Sequence, residues 1–97
     1  MLKKLETVEK RYIELNRLLS DPKIIAQQSE FQKYARERSK LAAIVHEYEA
    51  LKKILREIET NEQILKEESD PELHALANEE IERLNESREA VTAQLKT

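Results

Sequence analysis

The residues that most often perform chemistry are sparse in this chain, and their spacing does not suit a shared task. The two histidines, His46 and His74, lie far apart, and neither belongs to an H-x-x-x-H or E-x-x-H pair. Glu79, Glu80 and Glu82 form a cluster, but no histidine lies one helical turn away to complete a di-iron motif. We therefore expect no metal site, no cofactor and no catalytic residue in this chain.

The amino-acid composition excludes several enzyme classes. The 97 residues include no glycine, no cysteine and only two prolines. Without glycine the chain cannot build a phosphate-binding loop, a dinucleotide fingerprint or a nucleophile elbow, and tight β-hairpin turns are disfavoured. The lack of cysteine favours an intracellular protein, and no apolar run approaches the roughly 20 residues that span a bilayer. We interpret the chain as a cytoplasmic helical module without enzymatic activity and without membrane contact.

The spacing of apolar residues predicts three helices and a short turn. Helix 1 is expected over about residues 2–19, a short turn over 22–26, helix 2 over about 29–68 and helix 3 over about 71–96. Arg88 interrupts the apolar stripe of helix 3, where it is expected to snorkel or to form a buried pair. The stripes that should be buried are Leu2, Leu5, Val8, Tyr12, Leu15 and Leu19 in helix 1, Leu41, Ile44, Tyr48, Leu51, Leu55 and Ile58 in helix 2, and Leu73, Ala77, Ile81, Leu84, Val91 and Leu95 in helix 3.

The connections between the predicted helices determine the expected architecture. Pro22 and Pro71 each follow an aspartate, Asp21 and Asp70, that can cap the next helix. Because both connections are short, helices 1 and 3 should each run antiparallel to helix 2. The three-four alternation of apolar residues in helix 2 is typical of a coiled coil. We expect an all-α fold: an elongated antiparallel helical or coiled-coil arm of three helices with a long central one, forming a single domain over residues 1–97.

Charge is distributed unevenly along the chain. Residues 1–58 carry 13 Lys and Arg against 9 Asp and Glu, whereas residues 59–97 carry 4 against 11. The acidic second part should repel nucleic-acid phosphates, so we expect no direct nucleic-acid binding. An acidic surface can instead attract a basic protein. We define an acidic tip as the candidate docking site for such a partner, consisting of Glu62, Glu67, Glu68, Asp70 and Glu72.

The order of these signals is similar to that of one known family. The first helix ends in Leu18-Leu19-Ser20-Asp21-Pro22, and about 50 residues later Asp70-Pro71-Glu72 opens the third. The matching positions between and after these turns are Phe31, Tyr34, Glu37, Leu41, Val45, Tyr48, Ala77, Glu79 and Glu80. On these residues, and over essentially its whole length, the chain resembles the N-terminal helical domain of bacterial class I peptide chain release factors, closest to the type that reads UAA and UAG.

The resemblance implies a docking and positioning role in translation termination. The N-terminal arm of that family lies near the ribosomal stalk base and the class II release-factor GTPase, so the ribosome and this GTPase are the implied partners. Codon reading and peptidyl-tRNA hydrolysis belong to later domains of the family. The Gly-Gly-Gln motif for hydrolysis cannot occur here without glycine, and the Pro-x-Thr motif for codon reading is absent. We therefore interpret the chain as a non-catalytic part of a longer protein.

Two other functions stay open at this point. The tRNA-binding arm of a seryl-tRNA synthetase has a comparable length, but it needs basic residues along the arm, whereas the distal part of this chain is acidic. A coiled-coil adaptor or scaffold is compatible with the apolar stripe of helix 2. If part of that stripe lacks a partner, it can recruit a second copy of the chain and form a homodimer.

Overall fold

The computed structural model describes residues 2–96, and the regular structure in this range is entirely α-helical. The predicted all-α class is confirmed. None of the described helices has the length and apolar character needed to cross a membrane. The short helix α2 forms where a turn was predicted, and the long helix α3 begins one residue earlier than expected. The helices, in chain order, are α1 (Leu2–Leu19), α2 (Pro22–Ile25), α3 (Gln28–Glu67) and α4 (Pro71–Lys96).

An aspartate followed by a proline begins both α2 and α4. Oδ1 of Asp21 accepts a hydrogen bond from the backbone N–H of Lys23 at 2.9 Å, and Oδ1 of Asp70 accepts one from the N–H of Glu72 at 2.9 Å. The proline after each aspartate occupies the first helical position, where a backbone N–H has no partner within the helix. Each Asp–Pro pair thus separates one helix from the next and supplies the N-terminal cap of the new one.

The described chain divides into two compact units, Met1–His46 and Glu47–Thr97, and α3 contributes residues to both. The prediction of a single domain over the whole chain stays a prediction. We describe the two units separately.

In the first unit, α1 and the beginning of α3 run antiparallel. The ring of Tyr12 contacts the ring of His46 edge-on, with centroids 6.3 Å apart. Asn16, one turn further along α1, accepts a hydrogen bond from Arg38, which lies two turns earlier in α3. Because the contact positions advance in α1 while they recede in α3, the two helices point in opposite directions.

The core of the first unit is a single row of apolar side chains between these helices. Leu5, Tyr12 and Leu15 of α1 are buried together with Val45 of α3, and Leu15 is 0% exposed. The prediction that the stripe of α1 is buried is confirmed for Leu5, Tyr12 and Leu15. It is wrong for Leu2, the first residue of α1, which is exposed.

Two arginines connect α1 to α3 at the edge of this core. The guanidinium of Arg11 donates from Nε and Nη2 to the two carboxylate oxygens of Glu37, at 2.6 and 2.7 Å. The guanidinium of Arg38 lies over the ring of Tyr12, 5.0 Å from its centroid. The hydrogen bonds from Arg11 hold the pKa of the Glu37 carboxyl below its usual value of 4.5. These contacts determine how α1 is aligned along α3, because a two-pronged ion pair accepts only one alignment.

In the second unit, α4 packs antiparallel to the C-terminal part of α3. Glu57 of α3 interacts electrostatically with Arg83 of α4. Closer to the turn, the backbone carbonyl of Glu68 contacts Nε2 of His74, so positions that advance along α4 face positions that recede along α3. The buried residues of this unit are Tyr48, Leu51 and Ile58 of α3 with Ala77 and Leu84 of α4.

Several positions of α3 and α4 differ from the predicted stripes. Ile44 and Leu55 are exposed although both were assigned to the buried stripe of helix 2, and Val45 is buried instead. That prediction assumed one uninterrupted repeat, whereas α3 packs against α1 in the first unit and against α4 in the second. Leu73 is also exposed rather than buried. Arg88 is exposed and therefore forms no buried pair.

Leu15→Ala tests the importance of the apolar row. We expect the free energy of unfolding to fall by about 2–5 kcal/mol, because the substitution leaves a cavity at a fully buried position. Ile13→Ala is the matched control, since Ile13 lies on the same helix but is 60% exposed, and it should change stability by no more than about 0.5 kcal/mol. Urea denaturation measures both. Equal losses would contradict the assignment of Leu15 to the core.

The pair of Arg11 and Glu37 predicts a pH dependence. Because the pKa of Glu37 is lower in the folded chain than its usual value of 4.5, the pair stabilises the fold above pH 4.5. This contribution should disappear as the pH falls through the folded-state pKa of Glu37.

An NMR titration of the Glu37 carboxyl carbon measures this pKa directly. We expect a midpoint below 4.5 in the unmodified chain and a higher one in Arg11→Gln. Lys10→Gln is the control, since Lys10 pairs with Glu6 at 3.7 Å rather than with Glu37. A midpoint that does not respond to Arg11→Gln would refute the stated cause.

Candidate functional site

The predicted acidic tip lies at the turn between α3 and α4. Glu62 and Glu67 are in the last two turns of α3, Glu68 and Asp70 are in the three-residue connection, and Glu72 is in the first turn of α4. All five residues are exposed. The structure therefore places the five predicted residues on the C-terminal end of α3, the connection and the start of α4.

Asp70 has a structural role within the acidic tip. Its Oδ1 caps α4 through the N–H of Glu72, and its backbone carbonyl accepts the N–H of His74 at 3.1 Å. A carboxylate that satisfies a helix N-terminus is stabilised there by the positive end of the helix dipole. Glu72 benefits from the same dipole. The charges of these two residues remain at the surface, but replacing Asp70 would also weaken the start of α4.

The side chains of Glu67 and Glu68 contribute little to holding the turn together. The carboxylate of Glu67 accepts one long hydrogen bond from Gln63, at 3.4 Å. Glu68 uses its backbone to hold the turn, through an N–H bond to Ile64 at 2.9 Å and the carbonyl contact with His74. These two carboxylates can consequently be changed without removing a helix cap.

Two leucines beside the acidic tip are exposed. Leu73 is 40% exposed and Leu76 is 62% exposed. The packed face of α4 passes through Ala77 and Leu84, seven residues apart, and both leucines lie to one side of it. Neither leucine was predicted to be exposed, because Leu73 belongs to the predicted buried stripe and Leu76 to none of the stripes. An acidic surface next to exposed leucines can bind a partner that is both basic and apolar.

The other residues that could do chemistry are engaged elsewhere. The ring of His46 packs against Tyr12, and His74 contacts the connection before α4. Glu80 binds Arg83 on its own helix, which lowers the pKa of the Glu80 carboxyl. Among residues 2–96, no three His, Asp or Glu side chains come close enough to share a metal ion.

Fold and surface together define an all-α helical protein with an acidic, partly apolar surface at the turn between α3 and α4. The chain belongs to the PCRF domain family, because the model of that family matches residues 8–97. The predicted resemblance to the N-terminal domain of release factors is confirmed by this match and by the relatives below. This match does not support the two alternative functions, the tRNA-binding arm of a seryl-tRNA synthetase and a coiled-coil adaptor or scaffold.

Three curated relatives illustrate the similarity, and each is a peptide chain release factor 1. The protein from Desulfatibacillum aliphaticivorans is 50% identical over 96 residues, that from Geotalea uraniireducens is 43% identical, and that from Desulfitobacterium hafniense is 36% identical. Each alignment covers 99% of this chain but only 26–27% of the relative. This chain therefore spans about a quarter of the length of the relatives it matches. No solved structure gave a significant match.

Proposed function

We propose that this chain is the N-terminal docking and positioning domain of a bacterial peptide chain release factor that acts in translation termination at stop codons. The observation that supports the proposal is the PCRF match over residues 8–97, together with relatives named peptide chain release factor 1 that align across 96 residues. Since the chain spans about a quarter of those relatives, their activity is assigned to it only as part of this proposal.

Within such a factor, the role of this domain is binding rather than catalysis. The absence of glycine supports this assignment, because the Gly-Gly-Gln motif of the resembled family cannot be encoded here. Its partners are the ribosome, close to the stalk base, and the class II release-factor GTPase, and it works in the cytoplasm. The resemblance to the release-factor family is what supports these assignments.

The acidic tip is the proposed docking surface for a protein partner. Its five carboxylates give long-range attraction to a basic surface, which mainly speeds the encounter of the two proteins. Leu73 and Leu76 lie directly after it on α4 and add apolar area that is buried on contact. The tip thus combines steering charges with a short-range apolar contact.

A chimeric release factor tests the functional proposal. In the Desulfatibacillum aliphaticivorans protein, the 96 matching residues are replaced by this chain. We expect the chimera to keep the increase in termination rate that the class II GTPase produces in an in vitro translation system. An unrelated antiparallel helix pair of the same length, inserted at the same place, is the control and should abolish the increase. Loss of the increase in both proteins would contradict the proposal.

Charge reversal tests the acidic tip separately. Glu67→Lys with Glu68→Lys should slow association of this chain with its protein partner about tenfold at low salt, and the loss should shrink as salt is added. Glu82→Lys with Glu86→Lys is the matched control, because it makes the same charge change on exposed positions of the same unit. Asp70 is left intact because it caps α4.

Surface plasmon resonance with the class II GTPase and with stalk-base proteins measures the association rates. If the two double variants bind alike, the acidic tip is not the docking surface. The proposed function would still stand, since the chimera tests it without reference to the tip.

A further inference from the structure

The first unit has a net positive charge that is separate from the acidic tip. Residues 1–46 carry 10 Lys and Arg against 6 Asp and Glu, whereas residues 47–97 carry 7 against 14. The first unit therefore has a balance of +4 and the second unit one of −7. A polyanion repelled by the second unit can still be attracted by the first.

Three cations of the first unit form a line on one face of α3, and we call Lys33, Arg36 and Lys40 the basic stripe. All three are exposed. Their spacing of three and four residues places them on one side of the helix, at intervals of about 4.5 and 6 Å along its axis. The stripe borders a shallow depression of about 410 Å³ whose lining consists of Ser29, Gln32, Lys33, Arg36, Glu37 and Lys40.

The positive charge of the basic stripe is not cancelled by neighbouring acids. Within residues 2–96, Arg36 and Lys40 make no ion pair. Glu37 is the single acid that lines the depression, and both of its carboxylate oxygens are bound by Arg11. Lys33 lies 6.0 Å from the ring centre of Tyr34, and its charge also acts on Glu37, a carboxylate that Arg11 already pairs. The depression therefore has an excess of hydrogen-bond donors and of positive charge.

We propose that the basic stripe binds the phosphate backbone of RNA. A protein partner would need an apolar anchor at the centre of its contact, and the six residues that line the depression include none. Phosphates need only cations and hydrogen-bond donors, and a row of cations at this spacing can meet successive phosphates of one strand. The hydroxyl of Ser29 and the amide of Gln32 are suited to a ribose 2′-hydroxyl, the group by which proteins distinguish RNA from DNA.

This inference goes beyond the proposed docking function and rests on different residues. The expectation that this chain binds no nucleic acid relied on the acidic second part of the sequence. The basic stripe lies in the other unit, where the local balance has the opposite sign. Local rather than total charge determines attraction at distances within a Debye length, which is about 8 Å at physiological salt.

A triple variant tests the proposal in the 97-residue chain. Binding of a labelled RNA hairpin is measured by fluorescence anisotropy at about 50 and about 200 mM salt. Lys33→Gln, Arg36→Gln and Lys40→Gln together should weaken binding at least about tenfold at the lower salt and reduce the salt slope by about 2–3. The control is Lys53→Gln, Arg56→Gln and Arg88→Gln, three exposed cations of the second unit, and it should keep most of the affinity.

Several results would overturn the proposal. Both triple variants lower the net charge from −3 to −6, so equal losses would show a response to total charge alone. Absence of RNA binding by the unmodified chain at the lower salt would also refute it, as would equal binding of a DNA hairpin of the same sequence. If the basic stripe governs binding of polyglutamate but not of RNA, its partner is an acidic protein, and the proposal is wrong.

Circular dichroism verifies that the variants fold. If the triple variant does not fold, the single variant Arg36→Gln should still lower the salt slope by about 1.

Discussion

Burial of one row of apolar side chains along α3 is the constraint on which both units depend. A helix pair offers only one contact face, so each helix can bury little more than the residues that point directly at its partner. Leu15 and Val45 in the first unit, and Leu51 and Leu84 in the second, occupy these positions. With a core this narrow, side chains only slightly off the contact face, such as Ile44 and Leu55, remain partly in water. The narrow core also explains why so much of the surface is left for charges.

Polar contacts at the edge of the core supply the alignment that a row of similar apolar residues cannot. Leucines and valines tolerate a shift of one helix along another, because they fit several equivalent spaces. The two-pronged bond between Arg11 and Glu37 does not tolerate such a shift, and Arg38 adds a second constraint through Tyr12 and Asn16. These groups remain partly exposed, so their effect on stability is small compared with their effect on alignment.

The two units differ in charge, and this difference gives the domain two chemically distinct surfaces. The acidic tip combines carboxylates with exposed leucines, as suits a protein partner, whereas the depression beside the basic stripe is lined only by polar and charged side chains, as suits phosphates. In this chain the two surfaces belong to different units. Because they share no residue, each can be altered without changing the other.

The sequence alone determined the all-α class, the two places where an Asp–Pro pair separates the helices, and the family resemblance. Helix ends are local, since an Asp–Pro pair stops one helix and caps the next wherever it occurs, and Asp21 and Asp70 illustrate this. Only the tertiary structure decided which flank of each stripe is buried. Ile44 and Val45 are adjacent and equally apolar, so the choice between them depends on where the neighbouring helix lies. The same applies to the surfaces. Only the packing of the helices decides that Leu73 and Leu76 remain accessible and that the charge of Glu37 is compensated by Arg11.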